Sequence, residues 1–250
     1  MAIELGFLAV AIPAVLFAGI AKGGFGSGVA FVATPILALV LPAGEALALM
    51  LPLLMVMDAA SIRAYWGRWD AVAAQVLILG GMLGVAAGWA VMARVDADAF
   101  RLLIGGVAIL FVAWQGARAL GLAPRAARPM GAPAGLAWGA AAGFTSFVSH
   151  AGGPPALVYL LSRGLAKTPF QATMVIAFTV TNALKAGAFA ALGLFTPEVL
   201  VKAALLAPVA VIGTWIGVRA HFRVSERLFF GIAYALLTLT GAKLVWDGLV

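Results

Sequence analysis

The chain has no cysteine, which excludes a disulfide framework and any thiolate metal site. Charge is scarce as well. Lys, Arg, Asp and Glu make up 10% of the 250 residues, whereas a soluble domain carries about a quarter. So little charge cannot cover a water-facing surface, and the surrounding solvent must be lipid. Only nine residues are acidic and two are histidine. No HExxH sequence and no paired-carboxylate motif occurs, and the glycine runs do not follow a strand as a nucleotide loop would. No enzyme constellation, metal or cofactor is therefore expected. Residues 1–21 lack a basic leader and carry Glu4 instead, so no cleavable signal peptide is expected.

What remains is apolar. The chain is 64% hydrophobic, with a mean hydropathy of +1.11. Long apolar stretches joined by short basic loops predict membrane-spanning helices, since barrel strands would alternate. Six stretches read as ordinary spans: 45–66, 71–93, 100–120, 170–193, 198–219 and 228–248. Each holds about 20 residues, enough for a hydrocarbon core of roughly 30 Å. The seven tryptophans lie near predicted span ends, where interfacial belts form.

Offset by 126 residues, the chain lies over itself. Ala46 falls on Ala172, Gly67 on Gly193, Arg101 on Arg227 and Gly105 on Gly231. Each copy opens with a long segment broken by glycines, 5–41 and 132–163. The spacing predicts a first repeat over 1–121, a cytoplasmic linker over 122–131 and a second repeat over 132–250. Each repeat is then a glycine-broken helical hairpin plus three spans. Loop charge tests whether the broken segments cross once or turn back. Single crossings divide the loop Lys and Arg seven against seven. Hairpins that return to their starting side gather ten on one side: Arg63, Arg68, Arg118, Arg125, Arg128, Arg163, Lys167, Arg219, Arg223 and Arg227. The other side keeps Arg94, Arg101, Lys202 and Lys243. Basic residues concentrate on the cytoplasmic face, so the hairpin reading is preferred. It makes the two repeats inverted and places both termini in the periplasm. The net charge of +7 then marks membrane topology and not nucleic acid.

The candidate chemistry lies at the two glycine tips and in the spans beside them. Gly80, Gly81, Gly84 and Gly88 read as close-packing residues. The tips differ, because Lys22, Ser27, Ser149 and His150 sit among Gly24, Gly26, Gly152 and Gly153. Pro154 and Pro155 suit a first helical turn, and Ser27 suits a helix cap. Each second arm is expected to start at its tip with free N–H groups, and a helix N-terminus attracts anions. Inverted symmetry would bring two such starts together near the midplane. Lys185 lies mid-span with Thr181 and Asn182 on its face, and Asp58 lies mid-span with Ser61 and Tyr65. A buried charge is costly unless paired or hydrated. Asp58 and Lys185 could form a structural ion pair. Alternatively Lys185 attracts an anion while Asp58 is a coupling site for H+ or Na+. Lys22 is either a second anion contact or a residue snorkelling to the interface. His150 is either a structural or a titrating residue.

The duplicated broken helix, Gly19 to Pro35 and Gly143 to Pro155, each followed by three spans, resembles the sulfite exporter TauE/SafE family of bacterial membrane permeases. The second copy, with Gly152-Gly153-Pro154, is the closer match; the first carries Lys22, Phe25 and Ser27 within the run. The resemblance implies a multi-pass inner-membrane protein that moves small sulfur-containing anions such as sulfite or organosulfonates, often outward. The sequence reading is an all-α polytopic secondary transporter for a small anion. A passive anion channel and a non-transport membrane subunit remain the alternatives.

Overall fold

The computed structural model describes residues 5–24, 30–122, 129–220 and 226–249. Gly26 and Ser27, with the cap expected there, fall outside them. Ten α-helices and no strand occur among the described residues: α1 (Leu5–Gly24), α2 (Ala33–Leu37), α3 (Ala43–Tyr65), α4 (Ala71–Met92), α5 (Ala97–Ala119), α6 (Ala132–Ser149), α7 (Gly153–Ser162), α8 (Lys167–Ala191), α9 (Pro197–Ala220) and α10 (Glu226–Leu249). A 3-10 turn, Ala30–Val32, precedes α2. Helices α1, α3, α4, α5, α8 and α9 are long and apolar enough to cross a membrane. The six expected spans coincide with α3, α4, α5, α8, α9 and α10 to within a few residues.

Local chemistry sets several of these ends. Asp70 accepts a hydrogen bond from the Ala73 N–H at 2.7 Å, and Asp96 accepts one from Ala99 at 2.8 Å. Each carboxylate satisfies an amide left open in the first helical turn. Gly67 and Gly193, which superimpose under the 126-residue offset, both turn the chain with φ near +70° just after α3 and α8. That conformation disfavours any residue with a Cβ.

Both broken segments fold back as hairpins. Gly23 accepts a hydrogen bond from the Tyr65 hydroxyl, so the ends of α1 and α3 lie together. At the opposite end Lys202, on the first turns of α9, pairs with Glu45 and lies over the Phe7 ring. Helices α1, α3 and α9 therefore start at the same end of the bundle, and the chain is back at that end by Ala43. In the second half the Met130 N–H donates to the Ser162 hydroxyl, which brings the end of α7 back to the start of α6. Tyr65 packs with Ala172 and Val175, and the Asp70 N–H donates to Thr173 Oγ1. Thus α4 and α8 start where α3 ends. Helix α6 runs beside α4 in the same direction, so α1 and α6 begin at opposite ends of the bundle.

The hairpin arms are unequal. Helix α1 has 20 residues and α6 has 18, or about 30 and 27 Å of rise. The returning arms are short. Helix α7 starts at the tip as expected, with Pro154 and Pro155 in its first turn. For the first hairpin the tip lies outside the described residues. Its described return opens with the 3-10 turn, and α2, with five residues, has no side-chain cap.

The long arms are locked by small residues. Helix α1 lies along α9, where a Cβ on Gly23 would stand 2.2 Å from the Thr214 carbonyl oxygen and one on Gly217 2.3 Å from that of Ile20. Helix α6 lies along α4, where a Cβ on Gly84 would stand 2.0 Å from the Ala140 oxygen and one on Gly143 2.2 Å from that of Gly81. The packing expected of Gly80, Gly81, Gly84 and Gly88 is what the structure shows. In lipid, close backbone approach of this kind holds helices together where hydrophobicity cannot. Each long arm is thus seated on the second full span of the other half. Helix α5 similarly pairs with its counterpart α10.

Candidate functional site

Helices α1, α3, α6 and α8 converge on a cluster of buried polar side chains. Lys22, Asp58 and Lys185 are the buried Lys, Arg, Asp or Glu side chains among the described residues, at 3%, 2% and 0% exposure. Such charges survive in an apolar interior only with partners, and each has them.

Lys22 Nζ lies 2.8 Å from Asp58 Oδ1. That oxygen has no directed hydrogen bond among the described residues, so the contact is one of charge. The other carboxylate oxygen, Oδ2, accepts from Asn182 Nδ2 at 2.7 Å. Asn182 Oδ1 in turn accepts from Lys185 Nζ at 3.3 Å. Lys185 also donates to Ser146 Oγ at 3.1 Å and lies 2.6 Å from His150 Nδ1. The far side of the His150 ring, Nε2, is 2.9 Å from the Leu47 carbonyl oxygen. One polar chain therefore runs from the end of α1 through α3 and α8 to the tip of the second hairpin.

His150 owes its place to backbone geometry. It caps α6 in the left-handed conformation, with φ of 58°, and its N–H returns to the Ser146 carbonyl while that of Ala151 returns to Thr145. Glycine ordinarily fills this position. The cap turns the chain into α7, and Gly152 admits no side chain because a Cβ would stand 2.6 Å from the Ala142 oxygen and 2.8 Å from Ser146 Cβ. The start of α7 thus presses on the turn that carries Ser146. It has no side-chain cap. Pro154 and Pro155 have no N–H to satisfy, and the amides of Gly152 and Gly153 have no hydrogen-bond partners among the described residues.

Several expected site residues meet here and others do not. Lys185, Asn182, His150, Gly152, Gly153, Lys22 and Asp58 belong to the cluster or border it. Asp58 and Lys185 are not directly paired: Asp58 takes Lys22, and Asn182 stands between the two. Lys22 is buried rather than snorkelling. Gly24 packs on α9, where a Cβ would stand 2.3 Å from the Gly217 oxygen. The Ser149, Ser61 and Thr181 hydroxyls donate to carbonyls one turn back on their own helices. Thr181 faces Gly81 and lines a small cavity with Leu77, Gly139, Gly143 and Phe178. The two tips are not level. Tyr65 and Asp58 mark the first on α3, and Leu47 marks the second. The step of eleven residues from Leu47 to Asp58 corresponds to about 16 Å of helix. The ends of α1 and α6 pass one another instead of meeting end to end, and the side chains bridge the gap.

Ser146, the Leu47 carbonyl and Gln171, whose Nε2 donates to the Lys22 carbonyl at 3.1 Å, were not expected. A hydroxyl one turn before the tip was the available signal for Ser146. Nothing in sequence distinguishes the carbonyl of one leucine among many.

Neither a curated protein nor a solved structure matches the chain. The family model described as sulfite exporter TauE/SafE matches residues 11–244. Nearly the whole helical bundle and all of the buried polar cluster lie within that match, and the chain belongs to the sulfite exporter TauE/SafE family of membrane transport proteins.

Proposed function

We propose that the protein is a secondary transporter that carries a small anion, sulfite or an organosulfonate, across the bacterial inner membrane, most simply outward. The observation that carries this reading is the fully buried Lys185, held on Ser146 and His150 at the tip of a broken helix whose next residues, Gly152 and Gly153, have amides without hydrogen-bond partners among the described residues. An ammonium and a helix start, both desolvated, are complementary to a compact anion. The opposite starting ends of α1 and α6 support an inverted repeat, the usual frame for alternating access. The loop charge count supports termini in the periplasm and a cytoplasmic linker over 122–131. Lys185 is closed off from solvent, which favours a carrier over a standing pore. Asp58, neutralised by Lys22 in this state, is the coupling residue: H+ or Na+ arriving there releases Lys22.

The test is flux in proteoliposomes. Labelled sulfite loaded inside should leave saturably, should respond to an imposed proton or sodium gradient, and should be competed by organosulfonates. Flux linear in concentration and indifferent to both gradients would make the protein a passive path.

A further inference from the structure

With Lys185 taken as the ammonium of the anion site proposed above, the hydrogen bonds around it fix the remaining protonation states, and those states fix the charge of the guest. His150 Nε2 faces a carbonyl oxygen at 2.9 Å. A carbonyl can only accept, so Nε2 carries the hydrogen. Nδ1 faces the Lys185 amino group at 2.6 Å, so Nδ1 offers its lone pair and the ring is neutral. Asn182 is oriented by its neighbours in the same way, with its NH2 on the Asp58 carboxylate and its oxygen on Lys185. Lys185 Nζ thus meets three acceptors: Ser146 Oγ, His150 Nδ1 and Asn182 Oδ1. With Ser146 Oγ accepting, the three match the three N–H groups of an ammonium, the form in which Lys185 would attract an anion. Lys22 and Asp58 cancel as an ion pair. The cluster holds two cations, one carboxylate and a neutral imidazole, and no further buried Lys, Arg, Asp or Glu occurs among the described residues.

We infer that the site, with Asp58 paired to Lys22 and so one uncompensated positive charge, selects monovalent anions over divalent ones. A guest with one negative charge leaves the buried cluster neutral. A dianion leaves it with a net negative charge in an apolar surrounding, which is strongly unfavourable. The inference rests on the anion site proposed above and specifies its substrate class: sulfonates, and among sulfur(IV) species hydrogensulfite rather than the sulfite dianion. Asp58 sets this selectivity from a distance, by cancelling Lys22.

The full chain, purified in an uncharged detergent, can be titrated calorimetrically with methanesulfonate and sulfate, which at neutral pH carry one and two negative charges. The wild type should bind methanesulfonate at least about tenfold more tightly than sulfate. Asp58→Asn raises the cluster charge by one and should move the preference toward sulfate by about tenfold or more. Pairing it with Lys22→Met restores a single positive charge and should restore the wild-type preference. Equal wild-type affinities, or a wild-type preference for sulfate, would overturn charge selection while leaving the anion site standing. Binding of neither anion would remove the site and this inference with it. A wild-type preference that Asp58→Asn leaves unmoved in folded protein would overturn the charge count. The wild-type comparison stands even if a variant does not fold.

Discussion

Gly84→Ala is the sharpest test of how the second hairpin is seated. The added methyl would lie 2.0 Å from the Ala140 oxygen and 2.5 Å from the Phe144 nitrogen. Both obstacles are backbone atoms of α6, so no rotamer change relieves the clash. Normal contact begins near 3.4 Å, so α4 and α6 must part by roughly an ångström along the seam. Overpacking of this kind costs about 1–3 kcal/mol. The loss of neighbouring backbone contact at Gly80 and Gly143 places the expectation at the upper end. For a chain of this length each kcal/mol lowers the midpoint by about 2–4 °C, so a fall of about 6–12 °C is expected. Gly106→Ala is the matched control, because Gly106 lies in a helix and nothing is within 4 Å of its Cβ position. That change should be neutral or stabilising by up to about 1 kcal/mol. Both can be read by heating detergent-solubilised protein and following the monodisperse fraction on size exclusion. A Gly84→Ala midpoint within a degree of wild type would refute the seam as the constraint.

Lys185→Met keeps the volume and removes the ammonium; anion binding by calorimetry should be lost while the protein stays monodisperse. Retained wild-type affinity would take Lys185 out of the site. Lys22→Met and Asp58→Asn should each destabilise by about 3–5 kcal/mol, since each strands a buried charge, and the double variant should lose clearly less than the sum. Additive losses in thermal unfolding would mean the pair does not interact. Asp96→Ala removes the α5 cap and should cost about 1 kcal/mol, with no effect on anion affinity; a larger effect on affinity than on stability would contradict its purely local role.

The helical architecture was legible because lipid as a solvent imposes a single rule, long apolar helices, and glycine runs mark where that rule is suspended. Lys167–Ala191 and Pro197–Ala220 lie within three residues of the spans read from hydropathy. Loop charge favoured hairpins over single crossings, because it records topology independently of packing. Contacts were less accessible. The repeat offset puts Asp58 one step from the position of Lys185, which suggested a direct pair. Equivalence in a repeat is not adjacency, however. The parallel run of α1 beside α3 brings Lys22 to Asp58 first. Ser146 was hidden for a related reason: whether Thr145, Ser146 or Ser149 faces α8 depends on the rotation of α6, which the glycine seam with α4 sets. The depth of each tip was equally hidden, because a glycine run marks where a helix breaks and not how far the arm has travelled past its partner.

On the function proposed above, the two halves of a transport cycle would fall to different helix pairs. Two of the three acceptors on Lys185, Ser146 and His150, lie on α6 or its cap. An anion that takes over those contacts loosens α8 from the second hairpin and leaves α1 untouched. A cation that neutralises Asp58 loosens α1 from α3 and leaves α6 untouched. Asn182 alone touches both, with its NH2 on Asp58 and its oxygen on Lys185. Coupling between the two ligands must therefore pass through that one amide or through wider helix movement. Asn182→Leu separates these routes. If the amide carries the coupling, anion affinity in the variant should lose its dependence on sodium or proton concentration, and the reciprocal dependence must vanish by the same factor. An unchanged dependence in a folded Asn182→Leu protein would move the coupling from the polar chain to the glycine seams.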